Sequence, residues 1–202
     1  SRDTKYLNPN SGKEENIFSR DIPILHIWNT KTSSLDPPEM VIMGNHLKSQ
    51  RDRAHDPKSI LLRTKQIDEA VKIIKDYERH FPSTPVIFGG DFNANLITGT
   101  EFRSLKENGL MQDAFDIANP KMNKMDRVTH SFHPRGGETS YSQMDGMFIN
   151  NAGKKYLTEA KVYRYKVNGE EKRLPKTYAE RETNPSDHFP VIITVNSQIL
   201  SH

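Results

Sequence analysis

Apolar residues in this chain gather in short runs between long polar stretches, and the spacing within each run limits what it can fold into. The clearest pattern lies between Ser59 and Phe81. Here Ile60, Ile67, Val71, Ile74 and Phe81, with Ala70 and Tyr77 beside them, recur at three- and four-residue intervals. That period places them on one face of an amphipathic helix, with Arg, Lys, Asp and Glu on the other. Pro82 ends the helix. Before it, Met40 to Asn45 is short and almost wholly apolar, the pattern of a strand buried on both faces. After it, Val86 to Phe88 repeats that pattern. Strand, helix, strand is an α/β signal.

Less regular segments complete the reading. Residues 1–21 are polar, with a turn at Asn8–Gly12. Ile22–Asn29 reads as a strand with Pro23 at its start or on a sheet edge, followed by a loop over Thr30–Glu39 and a charged loop over Gln50–Lys58. Thr98-Gly-Thr-Glu101 has the form of a capping box, predicting a helix that buries Phe102 and Leu105 and stops near Gly109. Leu110–Ala118 is compatible with another short helix, and 119–141 reads as a basic loop. Gln143–Asn150 reads as a strand and Asn150–Gly153 as a turn, with Leu157–Val167 as the antiparallel partner. Residues 168–186 read as a charged loop and Phe189–Val195 as a last strand. No internal repeat is visible.

The 202 residues suit one domain over 1–202, with 1–16 and 197–202 as flanking segments. A chain that is 34% hydrophobic and 27% charged, with mean hydropathy −0.78, has no apolar run near the ~20 residues a spanning helix needs. A net charge of +3 and pI near 9.0 permit a polyanionic partner without requiring one. The absence of cysteine excludes disulfides and thiolate metal sites.

Candidate chemistry sits where strands end. In Pro85-Val-Ile-Phe-Gly-Gly-Asp-Phe-Asn93, strand alternation would turn Asp91 and Asn93 to one face while Phe92 packs behind. Three further stretches place polar groups similarly: Asn45-His46-Leu-Lys48-Ser49, Asp145 in Met-Asp-Gly-Met-Phe-Ile, and Ser186-Asp187-His188-Phe-Pro-Val. Each alone reads as turn punctuation. Together they hold what metal-assisted phosphoester hydrolysis needs. Carboxylate and amide oxygens suit Mg²⁺, Mn²⁺ or Ca²⁺. One carboxylate-oriented His can activate water, and a second can protonate a leaving oxygen.

These stretches, in this order, resemble the endonuclease/exonuclease/phosphatase superfamily (deoxyribonuclease I-like) over about residues 17–196. The resemblance implies a four-layer αββα sandwich of two mostly antiparallel sheets flanked by helices, an α/β (α+β) fold. It implies His188 as general base oriented by Asp145, and His46 on the leaving-group side. Asp91 and Asn93 would position nucleophile and phosphate, with Asp187 at the metal, most simply Mg²⁺. Phe18-Ser19-Arg20-Asp21 resembles a family segment whose Arg contacts phosphate, making Arg20 a candidate clamp. Asn45 and Lys48 join it as candidate substrate-binding residues beside His46. Arg63 and Gln66, on the polar side of the long helix, resemble an Arg-x-x-Gln pair and read as structural. His130 and His133 read as plain loop residues.

The chain departs from the family pattern before Arg20. Only 19 residues precede it, with no Asn-bearing strand and no Gln-Glu, so the principal Glu ligand is expected upstream of Ser1 and about the first third of the domain elsewhere. The leading expectation is a metal-dependent nuclease, monomeric, on DNA or RNA. The alternatives are a phosphatase or phosphodiesterase on phospholipid or sugar phosphate, and a degenerate nucleic-acid-binding module. Likeness to secreted nucleases and the lack of cysteine point toward a secreted or periplasmic location.

Overall fold

The computed structural model describes residues 3–29, 31, 37–134 and 137–200, so most of the expected loop over Thr30–Glu39 lies outside the described residues. The first elements are a small hairpin, β1 (Lys5–Leu7) and β2 (Glu14–Asn16), and then β3 (Ile24–Ile27) and β4 (Met40–His46). The long helix α1 (Ile60–His80) leads to β5 (Val86–Asp91), short α2 (Arg103–Lys106), β6 (Gln112–Asp113) and α3 (Ala114–Ala118). A second hairpin, β7 (His130–Phe132) and β8 (Ser140–Ser142), precedes β9 (Asp145–Ile149) and α4 (Asn151–Lys154). The chain continues with β10 (Leu157–Val162), β11 (Lys166–Val167), β12 (Glu170–Glu171), α5 (Tyr178–Glu182) and β13 (Val191–Val195).

The main sheet has the order β3-β4-β5-β9-β6, with β4 and β5 parallel and the other neighbours antiparallel. Helix α1 is the crossover between the two parallel strands, as such a pair requires. Strand alternation divides the core. Val41, Met43, Val86, Phe88 and Phe148 pack with Ile67, Ala70, Val71 and Ile74 of α1. Met40, Ile87 and Ile149 face the other way, onto Ala160 and Val162 of the second sheet, β10-β13, and onto Phe189 just before β13. The result is the mixed α+β architecture, sheet on sheet with a helix outside, that the resemblance implied.

Several local expectations change. Ile60 is exposed, while Arg63 and Gln66, assigned to the polar face, are buried within α1's packed side. Arg63 turns inward because Glu101 meets it: Arg63 Nε donates to Glu101 Oε1 at 3.0 Å and Nη1 to the Lys48 carbonyl at 3.0 Å. Glu101 is thereby unavailable to a capping box, and no side chain caps that helix. The segment breaks instead into 3₁₀ turns over Thr100–Phe102 and Glu107–Gly109 around α2.

Within the expected helix Leu110–Ala118, Gln112 and Asp113 pair with β9 before α3 begins, and Asp113 accepts the N-cap bond from Phe115 N–H at 2.9 Å. Leu157–Val167 does not pair with β9, whose edges are taken by β5 and β6; its first part, β10, pairs with β13. Asn150 redirects the chain. Its Oδ1 accepts from Val86 N–H at 2.9 Å and from Gly153 N–H at 3.1 Å, so Asn150–Gly153 forms a helical turn instead of a reversal. The expected loops over 119–141 and 168–186 carry the β7-β8 hairpin, and β12 and α5, respectively. No described helix is long and apolar enough to cross a membrane.

Candidate active site

Strand register assembles the site. Parallel pairing sets His46 of β4 opposite Asp91 of β5, and antiparallel pairing sets Asp91 opposite Asp145 of β9. Three polar side chains therefore form one row across the strand ends, on the face turned toward the second sheet. Bringing the backbones this close requires Gly90, whose φ is +141° and whose Cβ, if present, would lie 2.1 Å from the Asn45 carbonyl oxygen.

Beyond Asp91 the strand ends, and Asn93 reaches the same place by a different route from the alternation expected. It adopts a left-handed turn (φ 52°) in which its own N–H donates to Asp91 Oδ1 at 2.8 Å. Its side-chain Nδ2 donates to Asp91 Oδ2 and to the Leu47 carbonyl, both at 3.0 Å. Phe92 does pack behind, fully buried and edge-on to Phe88, Phe102 and Phe148.

His188 enters from the loop before β13. Its N–H donates to Ser186 Oγ at 3.0 Å, and its carbonyl accepts from the Tyr165 hydroxyl at 2.8 Å. So anchored, His188 Nδ1 donates to Asp145 Oδ2 at 2.8 Å. The carboxylate side is fixed as well: buried Thr129 Oγ1 accepts from Met144 N–H and Asp145 N–H, each at 2.8 Å. Thr129 escaped the sequence reading. Its signal, a β-branched hydroxyl residue beginning a polar-apolar alternation, is too common to single out.

Charge follows geometry. The hydrogen bond to Asp145 raises the His188 pKa above the ordinary histidine value, against the opposing effect of burial. Burial raises the Asp91 carboxyl, a rise that the bond from Asn93 N–H opposes and the charge of Asp145 reinforces. His46 Nε2 stands 3.5 Å from Asp91 Oδ2 on the solvent side of the row. At Asp187 burial acts upward too, but the bond from its own N–H and the charges of His188, Arg181 and His130 outweigh it and hold the carboxyl low.

Not every candidate joins the cluster. Arg20 is exposed on the loop before β3, with no bond to the cluster among the described residues. Asn45 alternates with His46 and so faces away from the row; its side-chain amide is buried without a hydrogen-bond partner. Lys48 is fixed by its backbone, its N–H donating to Gln66 Oε1 at 2.9 Å and its carbonyl accepting from Arg63. Gln66 also donates to the Ile17 carbonyl at 2.9 Å, so both α1 polar residues brace the loop behind His46. His130 is no plain loop residue: it lies in β7 against His188, ring centroids 4.7 Å apart. His133 is buried with Nδ1 2.9 Å from Thr139 Oγ1.

Ligand atoms of Asp91, Asp145 and His188 lie within 4.8 Å of one another. Two carboxylates facing each other across a strand pair fit a hard divalent cation, whose charge would offset their repulsion. The open face beside them is a groove lined by Asn93, Asn95, His130, Phe132 and His188.

No family model matches the sequence, and no curated protein matches it. Solved structures do. D. rerio TDP2 humanized by 14 mutations gives a TM-score of 0.50 at 18% identity, covering 78% of this chain and 55% of that one. D. rerio TDP2 complexed with single strand DNA product gives 0.50 at 17% identity, covering 78% and 56%. C. elegans TDP2 gives 0.50 at 14% identity, covering 96% and 57%. The chain thus spans little more than half the length of these proteins. The likeness concerns the fold alone, a mixed α+β fold with a five-stranded mixed sheet, in keeping with the deoxyribonuclease I-like fold expected from the sequence.

Proposed function

We propose that the protein is a divalent-metal-dependent phosphodiesterase acting on nucleic acid, with His188 as the base that activates water. The observation that carries this reading is the His188–Asp145 hydrogen bond at 2.8 Å. It commits Nδ1 to the carboxylate and leaves Nε2 as the basic nitrogen of a residue that clusters with Asp91 and lines one groove with Asn93.

In this reading Nε2 takes a proton from water as the water oxygen bonds to phosphorus. The bond from phosphorus to the leaving oxygen then breaks, and His46 supplies that oxygen with a proton. Asn93 would orient the phosphate by turning the Nδ2–H now given to the Leu47 carbonyl toward a phosphate oxygen, while keeping its bond to Asp91. Asp91 and Asp145 would hold a cation such as Mg²⁺, which when bound would supply charge neutralisation at the phosphate, whereas Asp187, expected at that metal, groups with His130 and His188. A diester is favoured over a small monoester by what flanks the site. Phe132 is 56% exposed in the adjoining groove, where a base could stack, with Asn95 beside it. The D. rerio TDP2 complexed with single strand DNA product supports a nucleic-acid substrate on this fold.

The test compares the complete protein on a single-stranded oligonucleotide and on p-nitrophenyl phosphate, with Mg²⁺ or EDTA. Oligonucleotide cleavage that needs Mg²⁺ is expected. Turnover of the monoester alone would overturn the nuclease reading in favour of a phosphatase.

A further inference from the structure

His130 was not needed for the chemistry above, yet its position is fixed by backbone rather than by side-chain chance. It forms an antiparallel bridge with His188, flanked by Phe189 N–H donating to the Thr129 carbonyl at 2.7 Å and Ser131 N–H donating to the Asp187 carbonyl at 3.3 Å. That ladder sets the two imidazoles side by side, their planes tilted by 54°, and leaves His130 Nε2 3.9 Å from Asp187 Oδ2. We propose that His130, Asp187 and His188 form a transition-metal site, taking Zn²⁺ or a similar ion in preference to Mg²⁺, distinct from the carboxylate pair Asp91 and Asp145.

One ligand atom from each of the three residues lies within 4.8 Å of the others. Around a tetrahedral Zn²⁺, donors at about 2.0–2.2 Å from the ion stand roughly 3–4 Å apart, so small rotations close the site. The donor set decides the metal. Two imidazoles and one carboxylate suit Zn²⁺, Co²⁺ or Ni²⁺, whereas Mg²⁺ seeks oxygens and keeps its waters. Burial first, and the neighbouring His188 second, lower the His130 pKa, which favours the neutral ring a metal requires. His188 Nδ1 is already taken by Asp145, so its Nε2 would be the ligand, oriented by a carboxylate as metal-bound histidines commonly are.

One group opposes the ion. Arg181 Nη2 lies 3.3 Å from the same Asp187 oxygen and must yield it. Arg181 therefore sets the affinity. The functional consequence rests on the reading of His188 as base: an ion on Nε2 removes it from water activation, so the site is inhibitory.

The test is a Co²⁺ and Zn²⁺ titration of the complete protein in excess Mg²⁺, followed by Co²⁺ absorption and calorimetry, for wild type, His130→Gln and Arg181→Gln. Wild type is expected to take up one ion that Mg²⁺ does not displace. His130→Gln should weaken uptake at least about ten-fold, the loss that even an outer-shell partner brings. Arg181→Gln should tighten it. Unchanged affinity in His130→Gln, or no uptake by wild type, would overturn the site. If His130→Gln does not fold, Arg181→Gln decides, and unchanged or weaker binding there overturns it too. Uptake without nuclease activity would leave the metal site standing and remove the function proposed for His188.

Discussion

At His188 the bond to Asp145 favours the imidazolium, and its pKa stands above the ordinary histidine value despite burial. A base works only unprotonated, so activity should rise with pH along a limb displaced upward from that value. Asp145→Asn removes the charge that causes the displacement. The limb should move to lower pH while kcat falls roughly 10²–10⁴-fold, as loss of a positioned base implies; a pH–rate profile of both proteins checks it. A limb that stays in place would mean Asp145 does not tune His188. Stability carries the same sign. A group whose folded pKa is raised stabilises fully below its unfolded pKa and loses that contribution as pH rises through the folded value. Asp145→Asn should therefore lower Tm more at pH 5 than at pH 9.

Residues at this scale were legible unequally. Asp91, Asp145 and His188 are legible only in combination, since each stretch alone reads as turn punctuation; register sets Asp91 opposite Asp145, and a side-chain bond brings in His188. His130 does not stand out, since its neighbour across 58 positions is visible only once β7 and the loop before β13 bridge.

Among the elements, α1 shows why periodicity finds a helix more readily than it finds each inward residue. Arg63 and Gln66 fall on its packed side because the loops above it present a carboxylate and carbonyls, which hydrophobicity cannot report. The Arg63–Glu101 pair is almost wholly buried, so Arg63→Ala should cost about 3–5 kcal/mol by leaving Glu101 charged and unpaired. Urea denaturation measures that cost. Replacing both residues with Met and Leu should cost less than Arg63→Ala alone.

Gly90 is the second sensitive point. Gly90→Ala adds a Cβ against the Asn45 carbonyl at a positive φ. It should destabilise by roughly 3 kcal/mol or more and spread the His46–Asp91 row, whose backbones it separates. The misread elements share one cause. Glu101 and Asn150 have strong local turn chemistry, but each is recruited by a partner distant in sequence, Arg63 and Val86.

For the whole molecule, the pattern made the strand–helix–strand core legible, and the layered α+β fold followed from the resemblance in motif order. The pairing of β10 with β13 was not legible, because nothing local distinguishes one open edge from another. A cation bound by the facing carboxylates stabilises only the folded state, by about 2.7 kcal/mol at a hundred times its Kd. Mg²⁺ should therefore raise Tm and EDTA should reverse the rise, with Asp91→Asn insensitive to both.

The measurement closest to the central claim is nicking of supercoiled plasmid by the complete protein and by His188→Ala, each with Mg²⁺ and with EDTA. Nicking by the wild type with Mg²⁺, lost with EDTA and lost in the variant, is the expected result. Nicking that survives chelation, or an undiminished rate in His188→Ala, would contradict water activation by the His188–Asp145 pair.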